Sequence, residues 1–280
     1  MKGTAIQMPP ADVTVTEHVL GLAPGRYGRT ALVDPAGGLT ISYSGLAARV
    51  RAAAAGLTRR GMRPGDVAGV HVTSAVAFAL ASQSIRAAGG VPSLSAAGTA
   101  AGVIAAQLAE CDARILITDS RLAGAALDIA ERSRVRQVIS FGQASGVTRF
   151  DALLGAGSLR PLPRSAGDLA LLAWTADPSG RPRPLGVTHG ELAAQLKELA
   201  PEARLAARDI ILAGPPSGDG RGYCALLDLA LTVGATVVGA PSHCGADLLA
   251  LARSHRATAA FVPPGSELAA NSVRRIPVTP

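Results

Sequence analysis

Cysteine, aromatic residues and lysine are all scarce in this sequence, and each shortage removes a class of explanation. Three cysteines, Cys111, Cys224 and Cys244, lie far apart in 280 residues and form no C-x-x-C pair. A disulfide scaffold or a cysteine-rich metal site has no residues to build it, so small buried thiols in a reducing compartment are expected. Aromatics make up 3% of the chain and there is one Trp, which leaves little to stack on nucleic-acid bases. Lysine occurs only at Lys2 and Lys197, so the net charge of +7 rests on arginines scattered singly or in pairs such as Arg59-Arg60 and Arg274-Arg275. Nucleic-acid binding needs cations clustered on one face, and no nucleic-acid partner is expected. Although 48% of the residues are hydrophobic, no apolar run is long enough to cross a bilayer. The opening "MKGTAIQMPPADVTVTEHV" also lacks the charged-then-apolar layout of a secretion signal. A soluble, cytoplasmic protein without a membrane partner is the expectation.

What is present is an alternation of short apolar runs and amphipathic stretches. From Ser44, the residues Leu46, Val50, Ala53 and Leu57 fall on one helical face, and Gly61 closes that helix. The run 67–72 reads as a buried strand, 75–88 as a helix ended by Gly89-Gly90, and Val91 as the start of another strand. Helices over 99–110 and 121–131 alternate with strands over 114–118 and 137–140. Residues 145–168, "SGVTRFDALLGAGSLRPLPRSAGD", break the rhythm. It resumes with strands at 169–175, 209–212, 236–238 and 258–262 and helices at 190–199, 222–231 and 246–254. Strands separated by single helices need crossover connections, which predicts an α/β fold with mostly parallel sheets. The organisation expected is an N-terminal segment (1–30), a first βα-rich lobe (31–150), a linker (151–168), a second lobe (169–262) and a loose tail (263–280).

Several stretches are colinear with the motifs of one family. "ALVDPAGGLTISYSGL" fits its "D…TYxEL" opening, "GLTRRGMRPGDVAGV" its "GLxxxGvxPGDxV" and "SIRAAGGVPSLS" its "xxRaGavxxpl". "DARILITD", "LDLALTVGATVVGAP" and "ADLLALARSHRATAAFVPP" follow in the family's order and spacing. Over about residues 30 to 265 the chain resembles the acyl-activating, AMP-forming superfamily of acyl-CoA and aryl-CoA synthetases, adenylation domains and luciferases. The resemblance implies the first half to two-thirds of such a synthetase's N-terminal domain. It also implies that the "YGxTE" segment, the ribose-binding aspartate and the lysine-bearing domain of the family are outside this sequence.

The family's nucleotide loop reads approximately Y-[ST]-S-G-T-T-G-x-P-K-G-V-x-x-[ST]-H, and "AWTADPSGRPRPLGVTHGE" (173–191) lies in its place. Trp174, Thr175, Gly180, Pro182, Thr188 and His189 match. Ala176, Asp177, Pro178, Arg183 and Pro184 stand where the family has serine, glycine, threonine, lysine and glycine. Such a loop holds phosphates through backbone N–H groups, hydroxyls and a cation. Asp177 brings a negative charge to it, and Pro178 and Pro184 each lack an N–H. Read from its own residues, Asp-Pro-Ser-Gly is a turn and Thr188-x-x-Glu191 a helix capping box, so His189 needs no chemistry. Thr175, Ser179, Gly180, Arg181, Arg183 and Thr188 are what remains to hold a weak anion.

The resemblance places the family's acyl-pocket segment at "LAGPPSGDGRGY" (212–223), where Ser217 or Gly218 replaces the usual gating histidine or aromatic and Tyr223 follows. Ser217, Asp219 and His243 are not read as a hydrolytic triad, because the sequence has no G-x-S-x-G elbow. His243 and His255 read as surface or cap residues. No catalytic residue and no metal ligand is assigned, and no resident cofactor is expected beyond weak ATP, AMP or acyl-CoA binding. The expected role is a degenerate relative that binds a small acyl or aryl ligand, or acts as a scaffold or regulator. It would pair as a homodimer, or with a partner protein, through the second lobe and its helices at 222–231 and 246–254. Two alternatives stand beside it: an AMP-forming half-enzyme completed by another polypeptide, and a new activity on the same scaffold.

Overall fold

The structure is a computed structural model that describes residues 13–21, 26, 28–155, 157–218, 220–241, 246–262 and 273–278. In chain order the first elements are α1 (Val15–Leu20), β1 (Thr30–Asp34), β2 (Leu39–Ser42), α2 (Tyr43–Arg59), β3 (Val67–His71) and α3 (Ala75–Ala87). Next come β4 (Val91–Leu94), α4 (Ala101–Glu110), β5 (Ile115–Asp119), α5 (Ala123–Glu131), β6 (Gln137–Phe141), β7 (Thr148–Arg149) and α6 (Asp151–Leu154). Then follow β8 (Leu169–Ala176), β9 (Pro182–Thr188), α7 (His189–Ala203), β10 (Ile210–Ala213) and α8 (Arg221–Val233). The last are β11 (Thr236–Gly239), α9 (Ala246–Ser254), β12 (Ala259–Val262) and β13 (Arg274–Pro277). The α/β alternation predicted from the sequence is present.

The strands form two sheets, ordered β13-β12-β10-β11-β1-β2 and β7-β6-β5-β3-β4-β8-β9. Every pairing is parallel except the two ribbons β1–β2 and β8–β9. The sheets do not follow the sequence lobes. β1 and β2, from the first lobe, extend the sheet of β10–β12, whereas β8 and β9, from the second, extend the sheet of β3–β6. Pairing across the linker thus ties both parts of the chain into each sheet.

Three apolar clusters give the layers. The central one packs α2, α3, α8 and parts of α1 and α7 between the sheets, with α3 touching β3, β4, β1 and β11. A second joins α4 and α5 to the outer face of one sheet, and a third joins α9 to the outer face of the other. The sequences of α3 (AVAFALASQSIRA) and α8 (RGYCALLDLALTV) have no wide polar face, as suits helices enclosed on all sides. Every residue of α3, and Gly222 to Val233 of α8, is buried.

That burial leaves α8 without an outward face. The tail also departs from expectation. Residues 274–277, expected as loose tail, form β13, which pairs in parallel with β12 (Phe261↔Ile276). Residues 263–272 and 279–280 of that tail lie outside the described residues.

Family-like motifs prove to be joints of this scaffold. Tyr43 of "SYSGL" donates its hydroxyl to Ala235 O at 2.7 Å, anchoring α2 to the turn before β11. Asp119 of "LITD" accepts from Thr73 N–H at 2.6 Å and Thr73 Oγ1 at 2.7 Å, which fixes the β3–α3 connection. In "RPGD", Gly65 has φ +87°, a left-handed conformation that glycine adopts without strain, and its N–H donates to Gly89 O.

Candidate functional site

The stretch 173–191 is a β-hairpin followed by a capped helix. β8 and β9 pair antiparallel with Trp174↔Pro184, Thr175↔Arg183 and Ala176↔Pro182, leaving only 177–181 as loop. The Gly180 N–H donates to Asp177 O and the Asp177 N–H to Arg181 O, both at 2.9 Å. Gly180 has φ +80°. A tight turn closed by a left-handed glycine is a common three-residue hairpin connection. The turn read from Asp-Pro-Ser-Gly is there, but β9 is an element that the sequence reading leaves as loop.

The strand explains its own prolines. In an antiparallel ladder the N–H and C=O of one residue point to the same side and alternate along the strand. Arg181 O faces β8, so Arg183 and Leu185 also face β8 while Pro182 and Pro184 face outward. Their missing N–H groups fall on the free edge, where proline is tolerated and blocks further strand pairing. Pro184 therefore costs the ladder nothing. It is also not part of the turn, contrary to the reading that counts it as a donor lost there.

Asp177 does not point away from the loop toward open space. Its Oδ1 accepts from Ser179 N–H at 2.9 Å, Ser179 Oγ at 2.6 Å and Arg181 N–H at 3.0 Å. Arg183 Nε stands 3.5 Å from Oδ2. These are N–H, hydroxyl and cationic groups that an anion would use, and one internal carboxylate engages them. The Ser179 hydroxyl first, then the Arg181 N–H, hold the Asp177 carboxyl below its usual range. Trp174 is not a stacking platform, since it is buried and its Nε1 donates to Ser93 Oγ at 2.9 Å. Thr175 is exposed beside it.

At the end of β9, Thr188 Oγ1 accepts from Glu191 N–H at 3.1 Å and Glu191 Oε2 accepts from Thr188 N–H at 2.8 Å, which completes the capping box. His189 follows, 5% exposed, with its backbone N–H given to Asp168 O. Its ring is more than a cap residue. Nδ1 is buried without a hydrogen-bond partner, and burial, then Arg86 and Arg164, depress its pKa to about 4.

The acyl-pocket remnants divide. Residues 214–218 lie against the carboxyl end of β4, where Ala97 N–H donates to Pro216 O at 3.1 Å, and β4 runs parallel to β8. Ser217 is half-buried and Gly218 exposed, near the end of the sheet from which the hairpin turn projects. Tyr223 belongs to the core instead: it is fully buried, donates to Gly214 O and meets Phe78 edge-on at 5.3 Å. Asp219, His243 and Cys244 lie outside the described residues. His255 ends α9 and its N–H donates to Leu251 O. Burial pushes the Cys111 thiol up to about 11 and also raises Cys224, so both are held as thiols.

Two features escape the sequence reading. A cavity of about 600 Å³ opens where β1, β3, β5, β6 and β11 end, between Ser74, Asp119, Arg121, Phe141 and Leu251. A buried polar cluster joins α1, α3 and α8 through Thr16, Gln83, Arg86, Cys224 and Asp228. Among the described residues, no group of three His, Cys, Asp or Glu side chains is placed to hold a metal ion, and no helix is long and apolar enough to cross a membrane.

Residues 23–267 match the family described as AMP-binding enzyme. The chain is 29% identical to the salicyl-AMP ligase / salicyl-S-ArCP synthetase of Mycobacterium tuberculosis, over 97% of this chain and 53% of that protein. Its fold is similar to a long-chain-fatty-acid-CoA ligase from Archaeoglobus fulgidus, with a TM-score of 0.80 and 19% identity, over 94% of this chain and 53% of the other. It is similar as well to MbtA from Mycobacterium smegmatis, with a TM-score of 0.77 and 25% identity, over 90% and 48%. The chain thus spans about half the length of the relatives it matches.

Proposed function

The chain belongs to the AMP-binding enzyme family, and within that family we propose that it is a binding protein which does not form acyl adenylates. One observation carries this reading. Ser179 N–H, Ser179 Oγ, Arg181 N–H and Arg183, four groups of the turn suited to phosphate, are already engaged by the Asp177 carboxylate. A phosphate arriving there meets a fixed negative charge instead of free donors, and transfer at phosphorus depends on donors that wait preorganised for it. The ligand that fits the reading is a small acyl or aryl compound, as the family resemblance implies.

A second reading has support of its own. Identity of 29% to a salicyl-AMP ligase, over 97% of this chain, favours an AMP-forming acyl or aryl ligase whose remaining groups come from further polypeptide. ATP binding separates the two. Calorimetry on the 280-residue chain is expected to show no saturable ATP binding up to millimolar concentration, and acid-dependent exchange of pyrophosphate into ATP is expected to be absent for benzoate, salicylate and fatty acids. Micromolar ATP binding by the unmodified chain would replace the first reading with the second.

A further inference from the structure

A second cavity lies at the far end of the β8–β9 ribbon from the Asp177 turn. It has a volume of about 390 Å³ and is walled by α7 (His189, Gly190, Ala193, Ala194, Lys197), by Arg164 to Ala166 and by Val13-Thr14. β9 runs from Pro182 to Thr188, so roughly 20 Å of strand separates this cavity from the turn. It is therefore distinct from the Asp177 turn and the acyl-pocket remnants, although it adjoins Thr188. We infer that it is a binding site for a small organic anion, a carboxylate carried on a flat apolar body.

The walls supply both halves of that chemistry. His189, Ala193 and Lys197 follow at four-residue spacing on one face of α7, and Gly190 and Ala194 flank them. Small side chains at 190, 193 and 194 leave a trough along the helix, with Ala166 and Val13 opposite. His189 and Lys197 sit at its two ends, about 12 Å apart along the helix axis. Arg164 and His189 stand at one end and the exposed Lys197 at the other.

At the His189 end the carboxylates are already engaged. Asp168 is the nearby carboxylate, and it is committed to Ser165 N–H at 2.8 Å and to Arg164 Nε at 3.3 Å. Arg86, behind His189, is matched by Asp228. Burial first, and then Arg86 and Arg164, lower the basicity of His189, with Asp168 opposing them. His189 lines the cavity, and its Nδ1 is buried without a hydrogen-bond partner, which such atoms normally have. A carboxylate at this end would meet the imidazole and the Arg164 guanidinium, while the ring or chain behind it would cover Ala193 and Ala194. The helix N-terminus itself takes no part, because its first N–H groups are used by Asp168 O, Ala166 O and Thr188 Oγ1.

Calorimetry with benzoate, benzamide and inorganic phosphate tests the assignment, with the histidine ring resonances followed in the same titration. Benzoate should bind saturably and move the His189 ring signal, and benzamide, its neutral counterpart, should not. Ala193→Leu, which fills the trough, and Arg164→Gln should each weaken benzoate binding by about tenfold or more. Folding of both variants is verified by their thermal transitions. Because Arg164 also pairs with Asp168, Lys197→Glu at the exposed end gives a second charge variant that leaves the fold alone, and it too should weaken benzoate. Equal binding of benzamide, binding of phosphate but not benzoate, or benzoate binding indifferent to all three variants would overturn the assignment. None of these outcomes bears on ATP, so the site stands or falls apart from the reading of the Asp177 turn.

Discussion

Arg86 on α3 and Asp228 on α8 form a buried bidentate ion pair, Nη1 to Oδ2 at 2.7 Å and Nη2 to Oδ1 at 2.8 Å. Gln83 Nε2 adds a third donor to Asp228 Oδ1 at 2.8 Å, and Thr16 Oγ1 in turn donates to Gln83 Oε1 at 2.7 Å. The network fixes the register of the two helices enclosed between the sheets. Removing one partner leaves a charge buried without compensation, so Asp228→Ala should destabilise the fold by about 3–5 kcal/mol. Replacing both, as Arg86→Met with Asp228→Leu, should recover most of that loss, because the pair itself gains little over well-packed apolar side chains. Urea denaturation of the three variants measures both effects. If the double variant is as unstable as the single one, the network does more than satisfy its own charges.

The Asp177 turn yields a prediction with a defined pH dependence. The Asp177 carboxyl titrates below its usual range in the folded chain, so its contribution to the hairpin is complete above the unfolded carboxyl pKa and is lost as pH falls through the lower, folded value. Amide exchange at Ser179 and Arg181 should therefore quicken, relative to the rest of β8 and β9, only in that acidic window. Asp177→Asn should abolish the dependence. Asp177→Gly should free both N–H groups and allow weak binding of inorganic phosphate without conferring adenylation. Unchanged protection of Arg181 in Asp177→Gly would mean that the carboxylate does not hold the turn.

How much of this could be read beforehand differs from element to element. α3 and α8 are legible as helices, since AVAFALASQSIRA and RGYCALLDLALTV are mostly apolar over helical lengths, but the sequence reading gives α8 an outward face that it lacks. The capping box is legible because Thr188 and Glu191 are three residues apart. β9 is not. "PRPLGVT" carries two prolines and a glycine that count against a strand, and only its register against β8 shows that both proline nitrogens face the free edge. The Arg86–Asp228 pair joins positions 142 residues apart, a relation that no local pattern carries. Sheet membership was hidden for the same reason, with β1 pairing to β11 across most of the chain. The site at His189 is half legible, since its spacing to Ala193 and Lys197 is visible but the facing wall at Arg164 is not.

Close packing of α2 against α6 gives a third prediction. A Cβ built on Gly56 would lie 2.5 Å from Leu153 O and 2.7 Å from Leu153 Cα, both backbone atoms that cannot swing aside. Gly56 has ordinary helical geometry, so alanine would favour the helix locally by about 1 kcal/mol. Overpacking of this kind costs about 1–3 kcal/mol and should outweigh the gain. Gly56→Ala is therefore expected to lower the thermal midpoint, whereas Gly102→Ala, on α4 with open space around its Cβ position, should raise it. Two stabilised variants would show that α6 can move away from α2 at little cost.

His189 supplies the last prediction, and its sign follows from burial. The ring titrates at about 4 in the folded chain, depressed by desolvation and then by the nearby arginines, against about 6.5 when unfolded. Between those two values the unfolded state binds the proton and the folded state does not, so stability rises with pH across that window and is complete above it. Below about 4 both states are protonated and no further loss comes from this group. Denaturation midpoints from pH 3.5 to 7.5 should fall on the acid side, beginning near 6.5. His189→Gln should flatten that part of the curve without needing to change the value at pH 7.5 in any fixed direction. His71 is also buried and also lowered by burial, so the slope should shrink rather than vanish. A bound carboxylate favours the charged imidazole, and benzoate at saturating concentration should therefore raise the His189 pKa above about 4. Its ring titration by NMR, with and without benzoate, checks both points, and a midpoint near 6.5 in the free chain would show that the ring is open to water.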